Sequence, residues 1–309
     1  MWRLDAMHEV TPAIIDEVIG LVATAASERQ PVPLSEQLLV DLRAGGGPGF
    51  AAVSARAGGR LVGWAQLAAG NHARSVELLV EPDADLDDGH EGLRTQLLDA
   101  ALGLVAGDGG GPVHWWSVGD KARDAQIAAA AGMAPGRRLA QMSRPLPTGM
   151  TVDVDTRPFR PGEDEGAWLA VNNRAFADHP EQGGWTIDTL RGREAEPWFD
   201  PDGFLLHERG GRLAAFCWTK LHDGSAAPQP IGEIYVIGVD PDFQGLGLGR
   251  QLTLAGLASI ADRGVDLGML YVDAANVAAV TLYNDLGFTT ARLDVAHTVK
   301  LAPATPERN

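Results

Sequence analysis

The stretch Val239-Asp240-Pro241-Asp242-Phe243-Gln244-Gly245-Leu246-Gly247-Leu248-Gly249-Arg250 decides how this chain is read. It joins an apolar run, 231–239, to a segment of helical periodicity, 248–263, where Leu248, Leu252, Leu254, Leu257 and Ile260 are apolar. A strand that turns through glycines into a helix gathers successive backbone N–H groups at the helix N-terminus, where the dipole also favours negative charge. In Gln244-x-x-Gly247-x-Gly249 the small residues let a ligand come close to the backbone. A pyrophosphate suits such a cradle, and Arg250 adds a cation at its rim. A plain Gly-rich turn is the simpler reading. A dinucleotide fingerprint needs Gly-x-Gly-x-x-Gly, and the glycine spacing here does not supply it.

Outward from this stretch, the second half of the chain reads as a helix over 163–177, strands over 203–208, 212–221 and 231–239, a helix over 248–263, a strand over 267–273, a short helix over 276–285 and a last strand over 293–300. The first half carries the same landmarks. Gly58-Gly59-Arg60-Leu61 parallels Gly210-Gly211-Arg212-Leu213, Pro82 parallels Pro241, and Ala131-Gly132-Met133 parallels Leu286-Gly287-Phe288. Gly58 and Gly210 are 152 residues apart, Pro82 and Pro241 159, and Gly132 and Gly287 155. Three landmarks in one order imply a duplicated domain. The turn-rich segment 144–156 reads as the linker, giving domains over 1–145 and 152–303. The fold class is α+β, with two tandem domains, each a mixed central sheet flanked by helices.

The motif resembles the pyrophosphate loop of the GCN5-related N-acetyltransferase superfamily, whose signature is Gln/Arg-x-x-Gly-x-Gly/Ala after a strand ending in a Val-x-Pro-like turn. Gln244, Gly247, Gly249, Val239 and Pro241 match it, as do Asn276 and Leu282-Tyr283-Asn284-Asp285-Leu286-Gly287-Phe288 further on. The resemblance implies that acetyl-CoA is the co-substrate, held by Ile237, Gly238 and Val239 on the strand, by Gln244, Gly245, Leu246, Gly247, Leu248, Gly249 and Arg250 in the loop, and by Asn276.

Acetyl transfer to an amine needs a base for the ammonium proton, a donor for the oxyanion and an acid for the departing thiolate. Glu233 lies six residues before Val239 on one strand, which on a regular pleat puts both on one face. By resemblance Glu233 is the base, the Val239 N–H the oxyanion donor and the Tyr283 hydroxyl the acid. Cys217, the chain's one cysteine, reads as core packing on a strand.

The first half lacks this chemistry. The segment from Glu81 to Arg94 has lost the glutamine and the paired glycines and has gained carboxylates, Ala128 falls at the tyrosine position, and counting by the Pro82/Pro241 offset puts Arg74 at the position of Glu233. The first domain therefore reads as catalytically inactive.

The tandem layout, Glu233-Ile234-Tyr235-Val236-Ile237-Gly238-Val239-Asp240-Pro241 and the polar loop 172–185 resemble the mycothiol synthase branch of the superfamily across essentially the whole chain. That branch acetylates the cysteinyl amine of cysteinyl-glucosaminyl-inositol, a pseudodisaccharide cysteine conjugate. The resemblance implies that Glu36, Asp178, Glu181, Lys220 and Glu233 line the acceptor site, and that Leu78, Leu79 and Val80 of the first domain can touch a second acetyl-CoA. Another amine (an aminoglycoside, a polyamine, a protein N-terminus) and a non-catalytic acetyl-CoA-binding module stay open as readings.

Composition bounds these readings. Of 309 residues, 45% are hydrophobic and 21% charged, as in globular proteins. The net charge of -16 argues against a nucleic-acid partner and would steer a cationic amine inward. The acid-bearing N-terminus, the lack of a long apolar run and a single cysteine lead to the expectation of a cytoplasmic protein without a membrane partner. No cluster with metal-ligand spacing is evident. A monomer is expected, with tandem duplication standing in for a dimer.

Overall fold

The computed structural model describes residues 2–26, 34–47, 49–70, 73–85, 92–177, 179, 182–222 and 230–304. The chain divides into two compact units, one of residues 1–138 and 293–309, the other of 139–292.

Unit 1 begins with β1 (Arg3–Met7), α1 (Pro12–Ala26) and α2 (Glu36–Arg43). A meander of β2 (Ala51–Ala57), β3 (Arg60–Ala68) and β4 (Arg74–Val80) follows, then α3 (Leu93–Gly107), β5 (Gly111–Ser117) and α4 (Ala122–Ala130). The chain continues through β6 (Ala134–Pro145) into unit 2, with β7 (Arg157–Pro158), α5 (Glu165–Ala175), α6 (Ile187–Glu194), β8 (Phe204–Arg209), β9 (Arg212–His222), β10 (Ile231–Val239), α7 (Leu248–Asp262), β11 (Leu267–Asp273), α8 (Val277–Asp285) and β12 (Thr289–Leu301).

The units share one element order and one sheet topology. In unit 1 the neighbours run β1-β2-β3-β4-β5-β12, and in unit 2 they run β7-β8-β9-β10-β11-β6. Within each sheet the β4–β5 or β10–β11 pair is parallel and the other pairs are antiparallel. The strand that completes each sheet comes from the other half of the sequence. β12 pairs antiparallel with β5 from Val295↔Ser117 to Leu301↔Gly111, and β6 with β11 from Leu267↔Pro145 to Asp273↔Leu139. A cut at the linker between 145 and 152 would leave each of these strands in the wrong unit.

In unit 2 one sheet face carries α5 and α6 over an aromatic core of Trp168, Phe204, Phe216 and Trp218, all fully buried. Phe204 stacks on Trp218 at 4.3 Å, and Trp168 meets Trp218 edge-on at 5.9 Å. The opposite face carries α7. A Cβ on Gly256 would lie 2.5 Å from Cys217 Sγ and 2.7 Å from Ile234, so α7 seats on β9 and β10 because this position has no side chain. In unit 1, α3 packs with Val76, Leu78, Val80 and Trp115, and the other face packs α1 and α2 on Trp64 and Leu79.

Candidate active site

The β10–β11 ladder is short. It joins Gly232↔Gly268, Glu233↔Met269 and Ile234↔Leu270, after which β10 runs on to Val239 and β11 to Asp273 without pairing with each other. β10 stays bonded to β9 on its other side, and the Asp240 N–H donates to Ala214 O at 2.9 Å. Amide directions alternate along a strand, so the N–H groups of Val239 and Ile237 point the other way, into the opening. An extended ligand arm can bond there as another strand would.

At the head of this opening lies the loop. Pro241–Phe243 form a single 3-10 turn started by Asp240, whose carboxylate accepts from the Asp242 N–H at 2.9 Å. Gly245 and Gly247 have φ of +77° and +76°, the left-handed region that glycine adopts without cost, and Gly247 caps α7. The first amides of α7 have no partner within the helix and face outward. A Cβ on Gly249 would sit 3.8 Å from Leu282 and 4.0 Å from Val239, so the absent side chain keeps the gap between β10 and α8 open. Arg250 lies in the first turn of α7. These features fit a pyrophosphate and its pantetheine arm. Two acids at the entrance are neutralised locally. Arg174 pairs with Asp240 at 3.1 Å and with Asp242 at 3.0 Å, and Arg212 reaches Asp242 at 2.7 Å. Arg212 and Arg174 hold the Asp242 carboxyl below its usual range.

One sequence expectation fails at Glu233. The register runs Glu233↔Lys220 and Ile234↔Thr219, then Val236↔Trp218, leaving Tyr235 as a bulge. The extra residue reverses the alternation. Glu233 and Val239 therefore face opposite sides of the sheet, not the same side. Glu233 shares the α5/α6 face with Lys220 and Trp218, whereas Ile237 and Val239 share the α7 face with Cys217. The Glu233 carboxylate is buried and lies 2.8 Å from His222 Nε2. The Lys220 ammonium stands 4.3 Å over Trp198 and 5.5 Å over Tyr235, a cation held by ring faces.

Tyr283 stands on α8, buried, edge-on to Phe288 at 5.8 Å. Burial pushes its hydroxyl up to about 12, with the Cys217 thiol a lesser cause, so the proton stays on the oxygen at neutral pH. The Cys217 thiol is fully buried and pushed up by that burial, which removes it as a nucleophile. Asn276 caps α8, its side-chain oxygen accepting from the Ala279 N–H at 3.1 Å.

Comparison with known proteins identifies the family. The description "Acetyltransferase (GNAT) family" matches residues 168–288. A mycothiol acetyltransferase of Thermobispora bispora is 47% identical over 93% of this chain and 96% of its own. One from Thermomonospora curvata is 45% identical over 93% and 94%. This chain belongs to the mycothiol acetyltransferase family. It is an acetyl-CoA-dependent N-acetyltransferase of the GNAT fold. Among solved structures, a GCN5-related N-acetyltransferase of Sphaerobacter thermophilus has a TM-score of 0.71 at 21% identity, covering 98% of this chain and 97% of its own. A tandem GNAT protein from the clavulanic acid pathway has a TM-score of 0.70 at 19% identity, covering 98% and 100%. Both share the fold.

As in unit 2, the parallel ladder of unit 1 stops early, at Val76↔Trp115, and the Glu81 N–H donates to Val62 O at 2.9 Å. Leu78, Leu79 and Val80 border this second opening and are buried. β4 has no bulge, which corrects the alignment made by counting. Ser75, not Arg74, occupies the position of Glu233, because Ser75 pairs with Ala68 and His114 as Glu233 pairs with Lys220 and Met269. The helices α3 and α7 are each 15 residues long and glycine-capped, so Arg94 stands where unit 2 has Gly249. Arg94 Nε lies 3.8 Å from the buried Asp124, whose other oxygen accepts from the Ser117 hydroxyl at 2.8 Å. Glu81 of the acidic segment pairs with Arg60, while residues 86–91 of that segment lie outside the described residues.

Asp178 and Glu181 also lie outside the described residues, as does the side chain of Glu36 at the start of α2. The loop that carries the first two is pinned by Asn172 Nδ2, which donates to Gln182 O at 3.0 Å, and by Asn173 Nδ2, which donates to Trp185 O at 2.9 Å. His179 Nδ1 accepts the Gln182 N–H at 3.0 Å, so that atom holds the turn. Among the described residues no group of three or more metal-ligating side chains converges, and no helix is long and apolar enough to cross a membrane. Sequence reasoning missed His222, Trp198, Arg174 and Arg212. His222 and Arg212 lie at the two ends of β9, Arg174 on α5 and Trp198 between α6 and β8, so no local spacing linked them to Glu233, Lys220 or Asp242.

Proposed function

We propose that unit 2 transfers the acetyl group of acetyl-CoA to the cysteinyl amine of cysteinyl-glucosaminyl-inositol, yielding mycothiol and CoA. The relatives named above, full-length at 45–47% identity, support the acceptor. The observation that carries the mechanism is the bulge at Tyr235 beside the short β10–β11 ladder. It turns Glu233 toward the α5/α6 face and leaves Val239 and Tyr283 on the α7 side. A direct displacement needs this division, because the amine and the departing sulfur lie on different sides of the carbonyl carbon.

In this mechanism Glu233 takes the proton of the acceptor ammonium. The amine nitrogen bonds to the thioester carbon while the Val239 N–H holds the oxygen that gains charge; such a donor is worth about 3 kcal/mol. As the carbon–sulfur bond breaks, the Tyr283 hydroxyl gives its proton to the thiolate, and the second proton leaving the nitrogen returns through solvent to the tyrosinate. Gln244 to Arg250 and Asn276 hold the CoA end, with the Ile237 backbone bonding its arm, since Gly238 turns its backbone groups toward β9. Lys220, Asp178 and Glu181 bind acceptor hydroxyls. Unit 1, with Ser75, Arg94 and Ala128 in place of Glu233, Gly249 and Tyr283, is the non-catalytic partner.

The test is release of CoA thiol with the full conjugate, glucosaminyl-inositol or cysteine as acceptor, repeated with Glu233→Gln. Saturable release with the conjugate alone is expected, with turnover lowered about 100-fold or more in the variant while acetyl-CoA still binds. Release with a different amine alone would move the acceptor, and a fully active variant would move the base.

A further inference from the structure

His222 and Glu233 stand on neighbouring strands as diagonal neighbours on one face, since Ile231 pairs with His222 and Glu233 with Lys220. Their side chains meet at 2.8 Å, Nε2 to Oε2. Glu233 is 11% exposed and His222 35%, so a nearly covered carboxylate is reached by a half-buried imidazole. An ionised carboxylate only accepts, so Nε2 carries the hydrogen and Nδ1 faces away. Also on this face, the Lys220 ammonium opposite Glu233 in register lies over Trp198 and Tyr235.

We infer that His222 is a positioning residue for the base, an inference that rests on Glu233 being that base. The bulge at Tyr235 begins two residues beyond Glu233, where the backbone is least regular and a long side chain needs an anchor. The imidazole N–H fixes Oε2 and turns Oε1 toward the incoming ammonium. The proton then moves from the substrate nitrogen to Oε1 with no atom of His222 exchanged.

Two substitutions separate this role from packing. His222→Gln places an amide N–H near the position of Nε2, whereas His222→Leu keeps bulk and removes the donor. His222→Leu is expected to lower kcat about tenfold, the worth of a hydrogen bond to a charged group, with the KM for acetyl-CoA unchanged. His222→Gln should keep at least about half of the wild-type kcat by the same reasoning. On a Glu233→Gln background, His222→Leu should add no further loss, because interacting residues are not additive. Equal losses in the two His222 variants, or a leucine penalty undiminished on that background, would overturn the positioning role. A Glu233→Gln enzyme with wild-type turnover would instead remove the base assignment, leaving the two failures distinct.

Discussion

Units 1 and 2 share their element order and sheet topology, and both open a parallel ladder early, at Val76↔Trp115 and Ile234↔Leu270. They differ in what fills the opening. Unit 2 has a bulge that aims a carboxylate, a glycine that keeps the gap clear and a buried tyrosine beside it. Unit 1 has a regular strand with Ser75, an Arg94–Asp124–Ser117 cluster and Ala128. The fold thus supplies the slot in both units, and the two slots differ at these three places.

The largest effect is expected from carrying the unit 1 residue into unit 2. Gly249→Arg would place a guanidinium in the space bordered by Leu282 and Val239. Acetyl-CoA affinity, read by calorimetry, should fall at least about 100-fold, equivalent to about 2.7 kcal/mol, while the melting temperature of the chain holds. Affinity within threefold of wild type would mean that the arm does not run between β10 and α8.

A smaller effect should follow from Tyr283→Phe, which takes away the hydroxyl and keeps the ring against Phe288. Turnover should drop about 100-fold, the lower range for a general acid, and less with a donor whose thiol leaving group is more acidic. An identical loss for both donors would assign the tyrosine to packing.

The elements of unit 2 were legible because their periodicity was plain. Strands expected over 212–221 and 231–239 are observed at Arg212–His222 and Ile231–Val239, and the helix expected over 248–263 spans Leu248–Asp262. The loop could be read because glycine has a conformational reason at Gly245 and Gly247. Helix α6 was missed, because Ile187–Glu194 has one buried residue, Leu190, and so no apolar stripe. The facing of Glu233 was misread because a bulge is a property of two paired strands. One strand's spacing contains no sign that the ladder shifts by one residue between Ile234 and Val236. The same limit hid the exchange of β6 and β12, since either strand satisfies the same alternating pattern.

The finest contrast lies beneath the openings, where Val236 pairs with Trp218 in unit 2 and Glu77 with Gln66 in unit 1. Gln66 spends its groups on Trp64 at 3.2 Å and on Leu38 O at 2.8 Å, and Glu77 accepts the Ser35 N–H at the start of α2. Burial pushes the Glu77 carboxyl up to about 7 from 4.5, against the opposing Ser35 bonds. The folded state therefore holds this proton more tightly than the unfolded chain. The resulting stabilisation is complete below about pH 4.5 and is lost as pH rises toward 7. It amounts to at most about 3 kcal/mol at 1.36 kcal/mol per pH unit. Glu77→Gln should flatten that slope for unit 1, read as amide exchange protection in β3 and β4 between pH 5 and 8, and leave β9 and β10 of unit 2 unchanged. A slope that survives the substitution would trace the pH dependence to another group and leave Glu77 as a polar strut that fixes the start of α2.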